Sequence, residues 1–252
     1  MINWQPKTFS AEDRLKMTDN ILDHFKTKYK KDLLSLAIEG STAKGMNTPF
    51  SDLELRVVLN NYENGWFPFF FQGMYIGISM SSREKMLSEA SKIDYEWPVK
   101  SDTLFTSKIV YDPTELYKEL RNIAEKTEGE TNFKLLLTEA IADMYEHVYK
   151  VFPLTEGDEM AMTNEARQIA YWAALCVGLS NKHRYVSSRT MYKESFHLND
   201  LPDGYEEHMH ELLTLETTAS KIKQSTACLW TSFEKWAKED GITLNKHDLT
   251  FL

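Results

Sequence analysis

The stretch that decides the fold runs from Ile38 to Leu59, I-E-G-S-T-A-K-G-M-N-T-P-F-S-D-L-E-L-R-V-V-L. Leu53, Leu55, Val57 and Leu59 alternate with Asp52, Glu54, Arg56 and Val58, which is strand periodicity. Just upstream, Leu34-Ser35-Leu36-Ala37-Ile38 reads as a buried strand. Successive side chains on a strand point to opposite faces, so Asp52 and Glu54 share one face while Leu53 and Leu55 point into a core. Two carboxylates on one face repel unless a cation lies between them. Mg²⁺ suits that position, because it takes one or two carboxylates and completes its shell with substrate phosphates. Between the strands, Gly40 allows a ligand close to the backbone and Ser41 can donate to a phosphate oxygen. Lys44 adds a mobile positive charge, and a short helix opening at Thr42 would turn its N-terminus toward the same anion. A lone D-x-E equally describes the solvated face of an edge strand. The coincidence of buried strand, Gly-Ser and acidic second strand favours a metal and nucleotide site.

Working outward, the first half mixes helices and strands. Ser10-Ala11-Glu12-Asp13 reads as a capping box, followed by an apolar face of Leu15, Ile21, Leu22 and Phe25. Met74–Met80 is a third strand candidate. Ser81 or Ser82 caps a helix through Ile93, and Pro113 opens another through about Lys126. Beyond Glu128-Gly129-Glu130-Thr131 the pattern is helical, near 132–151, 163–180, 187–197, 204–214 and 218–239. The expected fold is therefore α+β: an N-terminal mixed sheet with flanking helices over 1–127, then a mainly antiparallel helical bundle over 128–252.

Composition narrows the function class. The chain has 252 residues, 42% hydrophobic and 27% charged, with net charge −9. That acidity argues against a nucleic-acid binder, which needs a basic face to displace phosphate counterions, and suits a cationic small molecule. No apolar stretch is long enough for a membrane span, and no basic start leads into an apolar leader, so a cytoplasmic protein is expected. Cys176 and Cys228 form no C-x-x-C and read as buried thiols of a reducing compartment. His208-Met209-His210 invites a metal reading, but i and i+2 of a helix face apart and ligate one ion poorly, so two surface histidines are expected. The run Trp66-Phe67-Pro68-Phe69-Phe70-Phe71 reads first as core filling and second as a partner surface.

Gly40-Ser41 followed by Asp52-Leu53-Glu54 resembles the signature of the nucleotidyltransferase (polymerase-beta-like) superfamily. Pro49-Phe50-Ser51-Asp52-Leu53-Glu54, Glu96-Trp97-Pro98, Ile109-Val110-Tyr111-Asp112 and Asp200-Leu201-Pro202-Asp203-Gly204-Tyr205 resemble stretches of the kanamycin nucleotidyltransferase family. The resemblance holds in register over nearly the whole chain. It implies transfer of a nucleoside monophosphate from ATP or another NTP to an antibiotic hydroxyl, with release of pyrophosphate. It also implies Mg²⁺ on Asp52 and Glu54, a nucleotide set of Gly40, Ser41, Lys44 and Ser51, and a homodimer.

That reaction needs a proton acceptor. In Thr131–Val151, Phe133, Leu136, Leu137, Ala140, Ile141, Met144, Tyr145 and Val148 form an apolar stripe. Glu139, Asp143, Glu146 and Lys150 share a second face, which by pattern alone is a solvated face with an i,i+4 ion pair. The resemblance gives Glu146 the role of general base and Lys150 a contact with the nucleotide's phosphates. Ser187 falls near a hydroxyl-bearing segment close to the nucleotide. The chain also departs from the family. A third acid on the next core strand falls on Gly77, and a lysine two residues before it on Tyr75. An arginine of the Gly-Ser segment is Lys44, and an acid one turn before the base is Ala142. Two other readings follow: a nucleotide-binding pseudoenzyme or regulator on the same fold, or a nucleotidyltransferase with a different small-molecule acceptor.

Overall fold

A computed structural model describes residues 7–214 and 217–244. The elements in chain order are α1 (Ala11–Tyr29), β1 (Leu33–Ile38), α2 (Gly40–Ala43), β2 (Leu53–Leu59), β3 (Gly65–Phe71), β4 (Met74–Ser82) and α3 (Arg83–Ala90). There follow α4 (Trp97–Lys100), α5 (Asp102–Thr106), β5 (Lys108–Tyr111) and α6 (Leu116–Glu130). The rest is helical: α7 (Phe133–Val151), α8 (Glu159–Ser180), α9 (Met191–Ser195), α10 (Tyr205–Leu213) and α11 (Ala219–Glu239). Two compact units result. One holds the chain up to Ile93 together with Thr103–Thr131, and the other holds Asp94–Asp102 and the chain from Asn132 on. The expected α+β class is the observed one.

The first unit is built on a five-stranded mixed sheet in the order β3-β4-β2-β1-β5. β2 runs antiparallel to β1 and parallel to β4. Strand alternation sorts the two faces. Leu53, Leu55, Val57 and Leu59 join Met74, Ile76, Ile78 and Met80 against Met17, Leu22 and Phe25 of α1. Burying a side chain such as Leu53 or Leu55 completely contributes roughly 1.5–3 kcal/mol. The opposite face carries Glu54, Arg56 and Val58. Its far end is roofed: Val58 packs with Met86 and Ala90 of α3 and Leu116, Leu120 and Ala124 of α6. At the other end Glu54 is partly exposed.

α1 starts as its capping box predicts, with Ser10 accepting from the Asp13 N–H and Asp13 accepting from the Ser10 N–H. Its buried stripe is Arg14, Met17, Thr18, Leu22 and Phe25, and Leu15 is exposed instead. α3 ends at Ala90 rather than Ile93. α6 begins at Leu116, where the Asp112 carboxylate accepts from the N–H groups of Leu116 and Tyr117, and it runs on through Gly129 to Glu130.

The aromatic run is the largest difference from expectation. Gly65–Phe71 is the edge strand β3, not core: Trp66 is 51% and Phe70 70% exposed. Cys228 is likewise exposed, and only Cys176 is a buried thiol.

The second unit is a helical bundle around α8, whose Ala166, Ile169, Ala170, Ala173, Ala174 and Val177 are fully buried. Segment Asp94–Asp102 belongs to it. Trp97 meets Phe133 edge-on, and the Pro98 carbonyl accepts from the Tyr185 N–H at 2.7 Å. No described helix is long and apolar enough to cross a membrane.

Candidate active site

The Gly-Ser turn and the acidic strand meet directly. Gly40 sits at φ +61°, a left-handed conformation that glycine adopts without steric cost. The space a β-carbon would take there is filled by the Glu54 carboxylate. A backbone bond from Glu39 N–H to the Glu54 carbonyl, 2.8 Å, ties the turn to the strand. The single helical turn α2 begins at Gly40 rather than Thr42 and contains Ser41, with Lys44 closing it. Ser41, Lys44, Asp52 and Glu54 are all partly exposed.

Two supports were not visible as site residues in the sequence. Arg14 is fully buried. Its guanidinium donates to the carbonyls of Phe9 (2.7 Å), Ser10 (3.1 Å) and Thr48 (3.1 Å), and also to that of Ser51. It therefore pins the segment that delivers Asp52. Burial pulls its pKa below the ordinary value, opposed by the charges of Asp52 and Asp13. The second support is the pair Arg56–Glu39. Arg56 lies two residues beyond Glu54 on the same face and donates to Glu39 at 3.0 and 3.4 Å and to Ser81 at 3.2 Å. Burial works against its charge, but the charge and hydrogen bonds of Glu39, with smaller contributions from Tyr117 and Glu89, raise the pKa on balance. The Glu39 carboxylate, the nearest acid to Gly40 in the chain, is thereby engaged with Arg56.

Ser51 is committed to its own turn: its hydroxyl accepts from the Thr48 N–H at 2.9 Å, and its N–H donates to the Thr48 carbonyl at 3.1 Å. Of the proposed nucleotide residues, then, Ser51 shapes the loop while Ser41 and Lys44 stand at the turn.

Gly77 lies beside Glu54 in the parallel β2–β4 ladder. A β-carbon at Gly77 would overlap the benzo ring of Trp66, which reaches across from β3. The position where the resemblance placed a third acid is thus covered by an indole. Among the described residues, no three His, Cys, Asp or Glu side chains converge as a metal-binding group. Asp52 and Glu54 are the two carboxylates here that could hold a hard cation, with phosphate and water as its other ligands.

The second unit holds Glu146, Lys150 and Ser187. Glu146 and Lys150 lie one turn apart on the exposed side of α7, their side chains 64% and 48% exposed, and bond at 2.6 Å. That hydrogen bond, and then the charge of Lys150, hold the Glu146 carboxyl below its ordinary range. The neighbouring His147 turns away and meets Glu165 of α8 at 2.7 Å. Tyr145, expected in the buried stripe, is exposed and packs on Trp230 with ring centroids 4.6 Å apart. The Ser187 hydroxyl meets that of Thr190 at 3.0 Å, in a loop gathered by Glu194, which accepts from the Val186 N–H and the Thr190 hydroxyl.

Comparison with known proteins matches residues 114–243 to the model of the KNTase C-terminal domain. An aminoglycoside nucleotidyltransferase (4') from Staphylococcus aureus is 22% identical over 239 residues, 94% of either chain. Its counterpart from a Bacillus species is 21% identical over the same share. The fold is similar to that of a nucleotidyltransferase-like protein from Exiguobacterium sibiricum, with TM-score 0.51 and 12% identity over 89% of this chain and 74% of that one.

Proposed function

The chain belongs to the KNTase C-terminal domain family, and from that premise we propose that it transfers a nucleoside monophosphate from ATP or another NTP to a hydroxyl of an aminoglycoside-like acceptor, releasing pyrophosphate. The observation that carries this reading is the Glu54 carboxylate seated on the Gly40-Ser41 turn, next to Asp52. Ser41 and Lys44 would take phosphate oxygens, and Asp52 and Glu54 would hold Mg²⁺. When bound, that ion neutralises phosphate charge and favours in-line displacement. Arg14 keeps Asp52 in place by fixing the Thr48–Ser51 loop.

Glu146 is assigned the proton of the attacking hydroxyl. Exposed on its helix it is ionised at neutral pH and ready to accept, and its pairing with Lys150 lowers its pKa and makes it a weaker base. Lys150, once drawn to the nucleotide's phosphates, would loosen its hold and leave Glu146 more basic.

One observation favours a second reading, a nucleotide-binding protein without turnover: an indole lies over Gly77 where the family carries an acid. Pyrophosphate release from Mg²⁺-ATP, with kanamycin, tobramycin, neomycin and a lincosamide as separate acceptors, separates the two. Acceptor-dependent release that drops by about 100-fold or more in Glu146→Gln supports the transferase. Mg²⁺-dependent ATP binding with no release on any acceptor supports the binding protein.

A further inference from the structure

We propose that Trp66 is an acceptor-recognition residue, and that this site takes a hydroxylated acceptor through an apolar ring face rather than through ammonium groups; this rests on the nucleotidyl transfer proposed above and replaces its aminoglycoside-like acceptor with a different small molecule that presents an apolar face.

The register places the residues. On the face of the sheet opposite α1, β2 carries Glu54 and Arg56, β4 carries Tyr75, Gly77, Ser79 and Ser81, and β3 carries Trp66, Pro68 and Phe70. Trp66 pairs with Ser79, yet its benzo ring lies over Gly77, one step along β4 toward the acidic end. Gly77 is buried beneath it while Trp66 stays 51% exposed. Neighbouring strands are about 4.8 Å apart, so Gly77, beneath the ring's edge, stands one strand spacing from the Glu54 backbone. Phe70 and Tyr75 extend the aromatic surface, their ring centroids 5.2 Å apart. From Asn64 to Ser82 the chain has no Asp, Glu, Lys or Arg. The hairpin therefore offers no carboxylate to an ammonium group and three aromatic rings to an apolar one.

Topology decides which ligand meets this surface. The Gly40-Ser41 turn follows β1, on one side of β2, and Trp66 and Gly77 lie on the β4 side. The carboxylates stand between. In-line displacement puts the leaving pyrophosphate and the attacking hydroxyl on opposite sides of the α-phosphate. With phosphates on the β1 side, the β4 side receives the acceptor. Glycine at position 77 is what lets the ring settle there, since any side chain would displace it.

The test is equilibrium binding to the full chain and to Trp66→Phe, Trp66→Leu and Trp66→Ala, with lincomycin (one amine, apolar ring and alkyl faces), kanamycin (a polyamine) and a non-hydrolysable ATP analogue as probes. The wild type should prefer lincomycin to kanamycin. Trp66→Ala should weaken lincomycin binding by about tenfold, with Trp66→Leu intermediate and Trp66→Phe within about threefold of wild type. The ATP analogue should bind all four proteins alike, which also certifies that they are folded. Unchanged lincomycin affinity in Trp66→Ala, a loss confined to the ATP analogue, tighter binding of kanamycin than of lincomycin, or binding of neither acceptor overturns the proposal. Failure of the transferase reading looks different: Trp66-dependent binding with no pyrophosphate release. Release whose KM ignores Trp66 keeps the transferase and removes this role for Trp66.

Discussion

The Glu54 carboxylate occupies the space that a side chain at Gly40 would need. Gly40→Ala therefore meets two penalties, the left-handed φ of +61° and the overlap with Glu54. Gly45 separates them, because it has φ +68° and nothing within 4 Å of where a β-carbon would stand. Gly45→Ala should cost only the conformational part, about 1 kcal/mol. Gly40→Ala should cost more, about 2–3 kcal/mol, and should weaken Mg²⁺-ATP binding by moving Glu54. Urea denaturation and nucleotide titration of both variants give the comparison. Equal losses in the two would remove the Glu54 overlap from the account.

Arg14 is a buried cation that holds backbone carbonyls from two segments, and lysine cannot reproduce its planar fork. Arg14→Lys is expected to destabilise the protein by about 2–4 kcal/mol, since one ammonium cannot make all of these charge-assisted bonds from a buried position. The functional consequence should appear in the metal. With the Thr48–Ser51 loop loosened, the Mg²⁺ concentration that half-saturates ATP binding should rise, while acceptor affinity stays near wild type. A variant as stable as wild type with unchanged Mg²⁺ dependence would show that the loop holds itself.

What the sequence revealed and what it hid divide along physical lines. β1, the Gly-Ser turn and β2 were legible because one face of β2 is buried and the other polar, so alternation carries information. The long helices were legible from their 3.6-residue stripes. β3 was not, because Trp66, Pro68 and Phe70 on one face are as apolar as Phe67, Phe69 and Phe71 on the other. Arg14 was hidden because a charge on a buried stripe looks like a break in it, which moved the expected face onto Leu15. Arg56–Glu39 required knowing that Arg56 stands opposite Ala37 in the ladder. The i,i+4 pairing of Glu146 and Lys150 could be read from spacing, whereas its exposure could not.

Arg56 and Glu39 are largely buried as a pair, with side chains 21% and 14% exposed. Arg56→Met leaves a carboxylate at the Gly40 turn without its partner and should cost about 2–4 kcal/mol. Glu39→Gln together with Arg56→Met should recover a large part, because no uncompensated charge remains. A double-mutant cycle by denaturation measures the coupling. A coupling near zero would mean that the pair leaves the turn unaffected and that Ser81 alone positions Arg56.

The Glu146–Lys150 pair makes a pH prediction whose sign follows from the folded protein. Lys150 donates a hydrogen bond to Glu146 and adds a nearby positive charge, and both favour the ionised carboxylate. Glu146 thus loses its proton at a lower pH than an ordinary glutamate. A general base works only when deprotonated, so kcat/KM should fall as pH drops through the Glu146 pKa, and that acid limb should lie on the low side of the ordinary glutamate range. Lys150→Met removes both stabilising contacts. The pKa should rise and the acid limb should move to higher pH, along with a lower plateau from the lost phosphate contact. Lys150→Arg should keep the limb near its wild-type place. Glu146→Gln should lack the limb altogether and run at about 1% of wild type or less. The measurement is the pH profile of acceptor-dependent pyrophosphate release for the four proteins. An acid limb that stays put in Lys150→Met, or persists in Glu146→Gln, would assign it to another group and remove Glu146 as the base.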